Sequence, residues 1–427
     1  MRKMKRFLAL ALAATMTISS MSVTSFAATI SKRPADGTTE NQPFAPGTGG
    51  SQNFRIPCLV TLDDGTIVAG CDARWNHASD ACGLDTIISR STDGGKTWDY
   101  TFANYLGDNG NQFDYNSTAF IDPAMATDGE TIWLVADLYP AGVAINTVPS
   151  NKTARPGHTG YTADGELALA LATDSVNGYS TSDARANASL YTYHLEKIEG
   201  AADDAESYYN IVDADGNVDD RYTVDAYFNI KGEGVDTNLF IIDSPYFPFP
   251  TDFLYMTKST DGGATWSVPT LMDVKKADEQ TLLVGPGRGI VTSTGRLVFT
   301  CYDFTYGDDR SACLYSDDGG ETWTRGADVA NWSSEAVVTE AEDKLYMFTR
   351  HGNCYYISED WGETWGPAIS VDPAYNSNCQ LSAITYSEKV DGKTAIILSA
   401  PSSTSSRSVG KLFLGLIQED STLEWVN

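Results

Sequence analysis

From Phe54 onward the chain runs in short apolar-polar alternations separated by clusters of Gly, Asp and Asn. A period of two predicts β-strands, and helical periodicity is almost absent. Residues 58–62 predict a strand, Asp63-Asp64-Gly65 a tight turn, and residues 66–71 the return strand. Counted from Asp64, Arg55 lies nine residues before and Arg74 ten after, so both belong at the open end of this hairpin. Asp80 follows in a loop of small and polar residues, Asn76 to Ser79. Two guanidiniums and a carboxylate therefore gather at one rim. Residues 335–339 and 344–350 form a second hairpin about Ala341-Glu342-Asp343, with Glu335 opposite Arg350. A third pairs residues 380–386 with 394–399, and a polar loop over 401–408 then presents Arg407 ahead of a strand at 411–417.

One octapeptide recurs. STDGGKTW at 91–98 returns as STDGGATW at 259–266, SDDGGETW at 316–323 and SEDWGETW at 358–365. In the shared frame Ser-x-Asp-x-Gly-x-Thr-Trp, the Asp can accept hydrogen bonds from the turn backbone, the Gly permits positive φ, and the Trp plugs the turn from below. Successive copies start 168, 57 and 42 residues apart. The last two spacings fit one four-stranded propeller blade per repeat. The first is long enough for a blade without the motif plus an insertion, placed at residues 151–243, where the composition shifts to Asp, Asn, Gly and Tyr. Within it, residues 188–195, 226–230 and 238–242 read as strands.

The basic start (Arg2, Lys3, Lys5, Arg6), the apolar run 7–18 and the small residues Ser25-Phe26-Ala27 predict a secretory signal peptide over residues 1–27. A secreted or cell-surface, extracellular protein follows from it. Residues 28–51, rich in Gly, Pro, Thr and Asn, read as a linker, followed by propeller segments at 52–150 and 244–427. No other run is long and apolar enough to span a bilayer.

Removing the signal lowers the 29 basic residues to 25 against 57 acidic ones and takes the net charge from −28 to −32. Such a surface excludes nucleic acid and anionic membranes as partners. An anionic ligand would need a local basic pocket set against that field. The seven cysteines contain no CxxC pair and give no zinc site, and their odd number leaves at least one free thiol. The four histidines are scattered, the acidic run 203–220 lacks a full calcium loop, and Gly285-Pro286-Gly287-Arg288-Gly289 is not followed by a helix pattern. No metal or organic cofactor is expected.

Taken singly, each charged candidate has a bland reading. Arg55 and Arg74 could pair with Asp72 or Asp85, Asp80 could form a turn, and Arg407 could be solvated in its Ser-rich loop. Together with Phe-Arg-Ile-Pro at 54–57, Asp-Ala-Arg at 72–74 and the four octapeptides, however, they resemble the bacterial exo-α-sialidases. The resemblance implies an all-β, six-bladed propeller with a small inserted β-domain. It implies that Arg55, Arg350 and Arg407 clamp a sialic acid carboxylate and that Arg74 lies near the acetamido side of the sugar. Asp80 becomes the acid/base, Glu335 the base for a nucleophilic tyrosine, and Ile121 and Asp122 substrate-contacting positions. Arg suits such a clamp because its planar fork pairs bidentately with a carboxylate. A neutral phenol suits the attack because the anomeric carbon already carries an anion. The family's tyrosine would follow Trp425, and no tyrosine stands after Tyr386. The expectation is thus a last blade lacking its closing strand and a chain impaired in cleavage. Asn378 stands where an aromatic is expected. Sialylated glycans, glycoproteins or glycolipids are the expected partners. The competing readings are a propeller that binds sialic acid without cutting it and a purely structural propeller.

Overall fold

A computed structural model describes residues 33–107, 117–144, 160–162, 168–173, 187–276, 279, 281–303, 309–372, 375, 378–403 and 405–426. Residues 1–27, where a signal peptide is expected, lie outside them. Five small, mainly antiparallel sheets stand in a propeller-like arrangement beside a seven-stranded sheet. The first sheet runs Gly37–Glu40, Thr97–Asn104, Asp85–Ser91, Ile67–Ala73, Phe54–Thr61. In the second, Ala119–Thr127, Ile132–Tyr139, Phe253–Ser259 and Thr270–Met272 follow one another, and Gly287–Arg288 adds in parallel to Ala119–Thr127. The third is built on Leu297–Asp303 and Arg310–Ser316, the fourth on Ala336–Ala341 and Lys344–Thr349. The fifth contains Ser382–Thr385, Ala395–Pro401, Gly410–Ile417 and Leu423–Val426.

Successive sheets pack face to face. Val60 and Val68 of the first meet Met125 and Leu134 of the second. Ala124 and Leu254 of the second meet Phe299 and Leu314 of the third. Val298 and Cys313 of the third meet Val338 and Met347 of the fourth, and Phe348 of the fourth meets Leu398 and Phe413 of the fifth. Burial of these alternating positions is what turns the strands into a ring segment. The fifth sheet has four strands, of which Leu423–Val426 is the outermost.

The hairpins form as the turn chemistry requires. Glu342 and Asp343 take φ of 50° and 58°, the two positive values of a primed two-residue turn. In the first octapeptide Asp93 Oδ1 accepts the Lys96 and Thr97 N–H groups at 3.0 Å each, and Gly94 and Gly95 take φ of 75° and 87°. The other three copies repeat the Asp–Thr contacts. In the fourth, Trp361 occupies the first glycine's place at φ 60°.

Three readings change. Residues 37–40, read as linker, pair with the strand Thr97–Asn104 and cover the edge of the first sheet. In the insertion, Ala188–Leu190 is a 3-10 turn and the strand is Tyr193–Lys197, while Asn229–Gly232 and Val235–Asn238 replace the strands expected at 226–230 and 238–242. Side-chain caps explain the shifts. Asn187 Oδ1 accepts the Ser189 N–H, Asp225 Oδ1 those of Tyr227 and Asn229, and Asn238 Oδ1 that of Phe240. Each offers the backbone a turn that outcompetes a ladder. None of the seven cysteines is in a disulfide, and six of them are buried. No helix among the described residues is long and apolar enough to cross a membrane.

Candidate functional site

The strands Phe54–Thr61, Ala119–Thr127 and Ala336–Ala341 begin at the same end of the molecule, and the loops 74–84 and 402–409 overhang it. The Asp-containing turns follow Asp85–Ser91, Phe253–Ser259, Arg310–Ser316 and Cys354–Ser358, at the opposite end. A cavity of about 1440 Å³ runs from this end along the strands as far as Thr61, Thr127 and Glu340, and Arg55, Asp80, Ile121, Asp122, Glu335, Arg350 and Arg407 all line it.

Asp80 is held from two sides. Arg55 Nη1 donates to its Oδ1 at 3.0 Å, and Arg74 Nη1 makes a close contact with the same oxygen. Arg74 itself is fully buried. Its Nε and Nη2 donate to Asp72 Oδ2 at 3.1 and 2.7 Å, and its Nη1 reaches the Ser79 carbonyl at 3.1 Å. Arg74 does not line the cavity, and its guanidinium is engaged by Asp72, Asp80 and the loop backbone, an arrangement that positions Asp80. Asp72 was passed over as a bland ion-pair partner. Its Oδ1 accepts the Asp122 N–H at 3.1 Å, and the two-residue spacing that puts Asp72 and Arg74 on one face of a strand was the available signal. Asp122 sits at an irregularity between Ile121 and Ala124 with φ 58°, which turns both residues toward the cavity.

Glu335 precedes its strand. Its carbonyl accepts the Arg350 N–H at 2.8 Å, and Arg350 Nη1 lies 2.9 Å from its Oε2. Arg350 Nη2 donates to Asn378 Oδ1 at 3.3 Å, and Arg407 Nε to the Asn378 carbonyl at 2.9 Å. Asn378, where an aromatic was expected, thus ties two of the arginines together. Tyr139 and Tyr302, both buried and lining the cavity, were not anticipated. Nor was Trp332, an exposed ring stacked on His351 at the rim with centroids 3.8 Å apart.

The carboxyls are set apart electrically. Burial pushes Asp80 up, but hydrogen bonding and charge from Arg74, with Arg55 and Arg407 behind, hold it below the usual range. Glu335 is raised, because burial outweighs Arg350. Asp122 is raised well above the usual range by burial and then by the charges of Asp72 and Glu335. Burial pushes the Tyr139 and Tyr302 phenols well above theirs. Among the described residues no group of three His, Cys, Asp or Glu is placed to hold a metal ion.

Residues 239–426 match the family described as BNR repeat-like domain. The anhydrosialidase of Macrobdella decora is 32% identical over 421 residues, 89% of this chain and 54% of that protein. Sialidase B of Streptococcus pneumoniae is 30% identical over 415 residues, 87% of this chain and 57% of that one. The chain is similar to these sialidases over most of its own length. The solved intramolecular trans-sialidase of Ruminococcus gnavus, in complex with oseltamivir carboxylate, has 29% identity and a TM-score of 0.74, covering 90% of this chain and 86% of its own. The chain spans somewhat over half the length of those two curated sialidases.

Proposed function

We propose that the protein is a glycoside hydrolase that removes terminal α-linked sialic acids from glycoconjugates as a retaining exo-α-sialidase. The observation that carries the reading is the lining of one cavity by Arg55, Arg350 and Arg407 together with Asp80 and Glu335. The three guanidiniums bind the sugar carboxylate. Asp80 protonates the departing glycosidic oxygen, and Glu335, raised by burial, takes the proton of an attacking phenol. Asp80 shares Arg55 with the incoming carboxylate, and the new negative charge weakens the hold that keeps Asp80 ionised. Substrate binding therefore makes Asp80 a better acid catalyst at the moment it is needed. Arg74 keeps the carboxyl aimed throughout.

The weak point is the nucleophile. Burial disfavours the phenolate of both tyrosines that line the cavity, Tyr139 and Tyr302, so neither suits the attack. Turnover by the described residues alone is accordingly slow, and the same observation favours the second reading, a module that holds sialic acid without cutting it. The six-bladed ring belongs to the proposal too. Among the described residues the first and fifth sheets share no apolar cluster, and Leu59 and Leu412 stand exposed on them. Secretion, with a signal peptide at residues 1–27, completes it.

The test is a fluorogenic sialoside assay on the purified protein, run beside binding of free sialic acid. Binding with turnover far below that of an ordinary sialidase is expected. Turnover at an ordinary rate contradicts the argument about the phenols, and absence of both binding and turnover contradicts the sialic acid reading itself.

A further inference from the structure

Among the described residues four arginines line the large cavity: Arg55, Arg288, Arg350 and Arg407. Three of them are engaged. Arg55 is paired with Asp80 and Arg350 with Glu335, and Arg407 donates to the Asn378 carbonyl. Arg288 is half-buried, and among the described residues it makes neither a hydrogen bond nor an ion pair. None of its guanidinium nitrogens is sealed from solvent, so the fork keeps surface open to the cavity.

The stretch Gly285-Pro286-Gly287-Arg288-Gly289 puts it there. Gly287–Arg288 is a short strand parallel to Ala119–Thr127, with Arg288 beside Met125 and the Gly289 N–H on the Met125 carbonyl at 2.9 Å. Side chains at Gly285 and Gly289 would collide with Thr300 and Phe299, so glycine is what lets the backbone pack this closely. Met125 stands three residues beyond Asp122 on its strand, a distance of roughly 10 Å. Arg288 therefore sits deeper in the cavity than Asp122, on the way to Thr127.

The surroundings of Arg288 are apolar. Ile290 follows it, and Cys58, Leu59 and Val60 belong to the strand Phe54–Thr61 that lies alongside; all four line the cavity. Leu59 is 53% exposed there. Glu340, a carboxylate at the far end of the cavity, accepts the Ser293 N–H on Oε2 at 2.7 Å and makes no ion pair with Arg288. Burial alone pulls the Arg288 guanidinium below its usual range, with no neighbouring charge contributing. A half-buried cation without a partner is costly, and an anion from outside the chain relieves the cost.

We propose that Arg288 and the apolar wall around it form a second binding site, for a monocarboxylate with a short apolar tail. The planar fork takes both oxygens of one carboxylate, and one positive charge is balanced by one negative charge. A divalent anion such as phosphate leaves an excess of negative charge among apolar side chains, inside a chain of net charge −28. A bare monovalent ion balances the charge but leaves Leu59 facing water, whereas a tail covers it. The cavity of about 1440 Å³ exceeds an ordinary small-molecule pocket of about 300–1,000 Å³, which leaves room for this ligand beside another at the cavity mouth. The inference stands independently of the sialidase reading.

The test titrates hexanoate, acetate and phosphate into the full protein and into R288M, R288K and R350M, followed by ligand-detected NMR. Hexanoate is expected to bind saturably, with a dissociation constant in the roughly millimolar range, and several-fold tighter than acetate or phosphate. Binding is lost in R288M, weakens several-fold in R288K, which keeps the charge without the fork, and is unchanged in R350M. R288M removes an uncompensated charge and should melt no lower than the parent; R288K keeps the test available should R288M fail to fold. Absence of saturable hexanoate binding, or binding unchanged in both Arg288 variants, overturns the proposal. Loss of binding in R350M overturns it as well, by placing the carboxylate at the cavity mouth. Phosphate or acetate binding as tightly as hexanoate overturns the ligand class.

Discussion

At the residue scale, the candidate site depends on one buried guanidinium. Arg74 and Asp72 are both without exposed side-chain surface, and Arg74 alone joins Asp72 to Asp80. Removing one partner of such a pair leaves a buried charge uncompensated, at a cost of about 3–5 kcal/mol. R74M should therefore lower unfolding stability by that order in a denaturant titration, whereas R407M, at an exposed position, should leave it unchanged. Asp122 gives a pH signature of the opposite sign to the usual carboxylate. Its folded value is raised, so the native state holds a proton that the unfolded chain has released. Its contribution is complete below the ordinary Asp value and is lost as pH rises from there toward the raised folded value. D122N, which tolerates the left-handed backbone at this position, should gain stability over the parent at neutral pH and none at pH near 4, read from melting curves at both. Neither residue's setting was legible in the sequence. Charge spacing brought Arg55, Arg74 and Asp80 to one rim. It could not show that Arg74 turns inward, because that depends on Asp72 and on loop carbonyls whose positions only the folded backbone sets.

At the scale of elements, the hairpins were legible because their turns carry their own chemistry. The repeated octapeptide holds its loop through one carboxylate, and Asp318 in the third copy accepts the Thr322 N–H at 2.9 Å and the Glu321 N–H at 3.1 Å. The Thr322 hydroxyl and backbone donors pull Asp318 down to about 2. Because the folded value is depressed, its contribution is present above the ordinary Asp range and is lost as pH falls toward 2. D318A should lower Tm by a few degrees at neutral pH and leave ligand affinity at the cavity unchanged, since these turns occupy the far end of the sheets. Calorimetry at neutral pH and at pH near 2 would check it, the difference shrinking at the lower value. The insertion was less legible. Its Asx caps at Asn187, Asp225 and Asn238 interrupt runs that alternate like strands, and its strand Ala170–Thr173 pairs with the distant Tyr246–Pro248. No local pattern encodes that partnership.

At the scale of the whole molecule, an acidic chain of net charge −28 gathers Arg55, Arg350 and Arg407 at one opening. Sequence reading supplied the three arginines from three separate hairpins, and packing of successive sheets explains how they meet. It did not supply Asn378 as the brace between two of them, because that contact arises where elements distant in sequence touch. The central claim is that the three guanidiniums act together on one carboxylate. The most direct measurement is calorimetric binding of free sialic acid to the protein and to R350M and R407M, with folding verified for each. A charge-assisted hydrogen bond is worth about 1.5–3 kcal/mol, so each substitution should weaken binding by roughly 10- to 100-fold. Equal affinity in all three proteins would contradict the account.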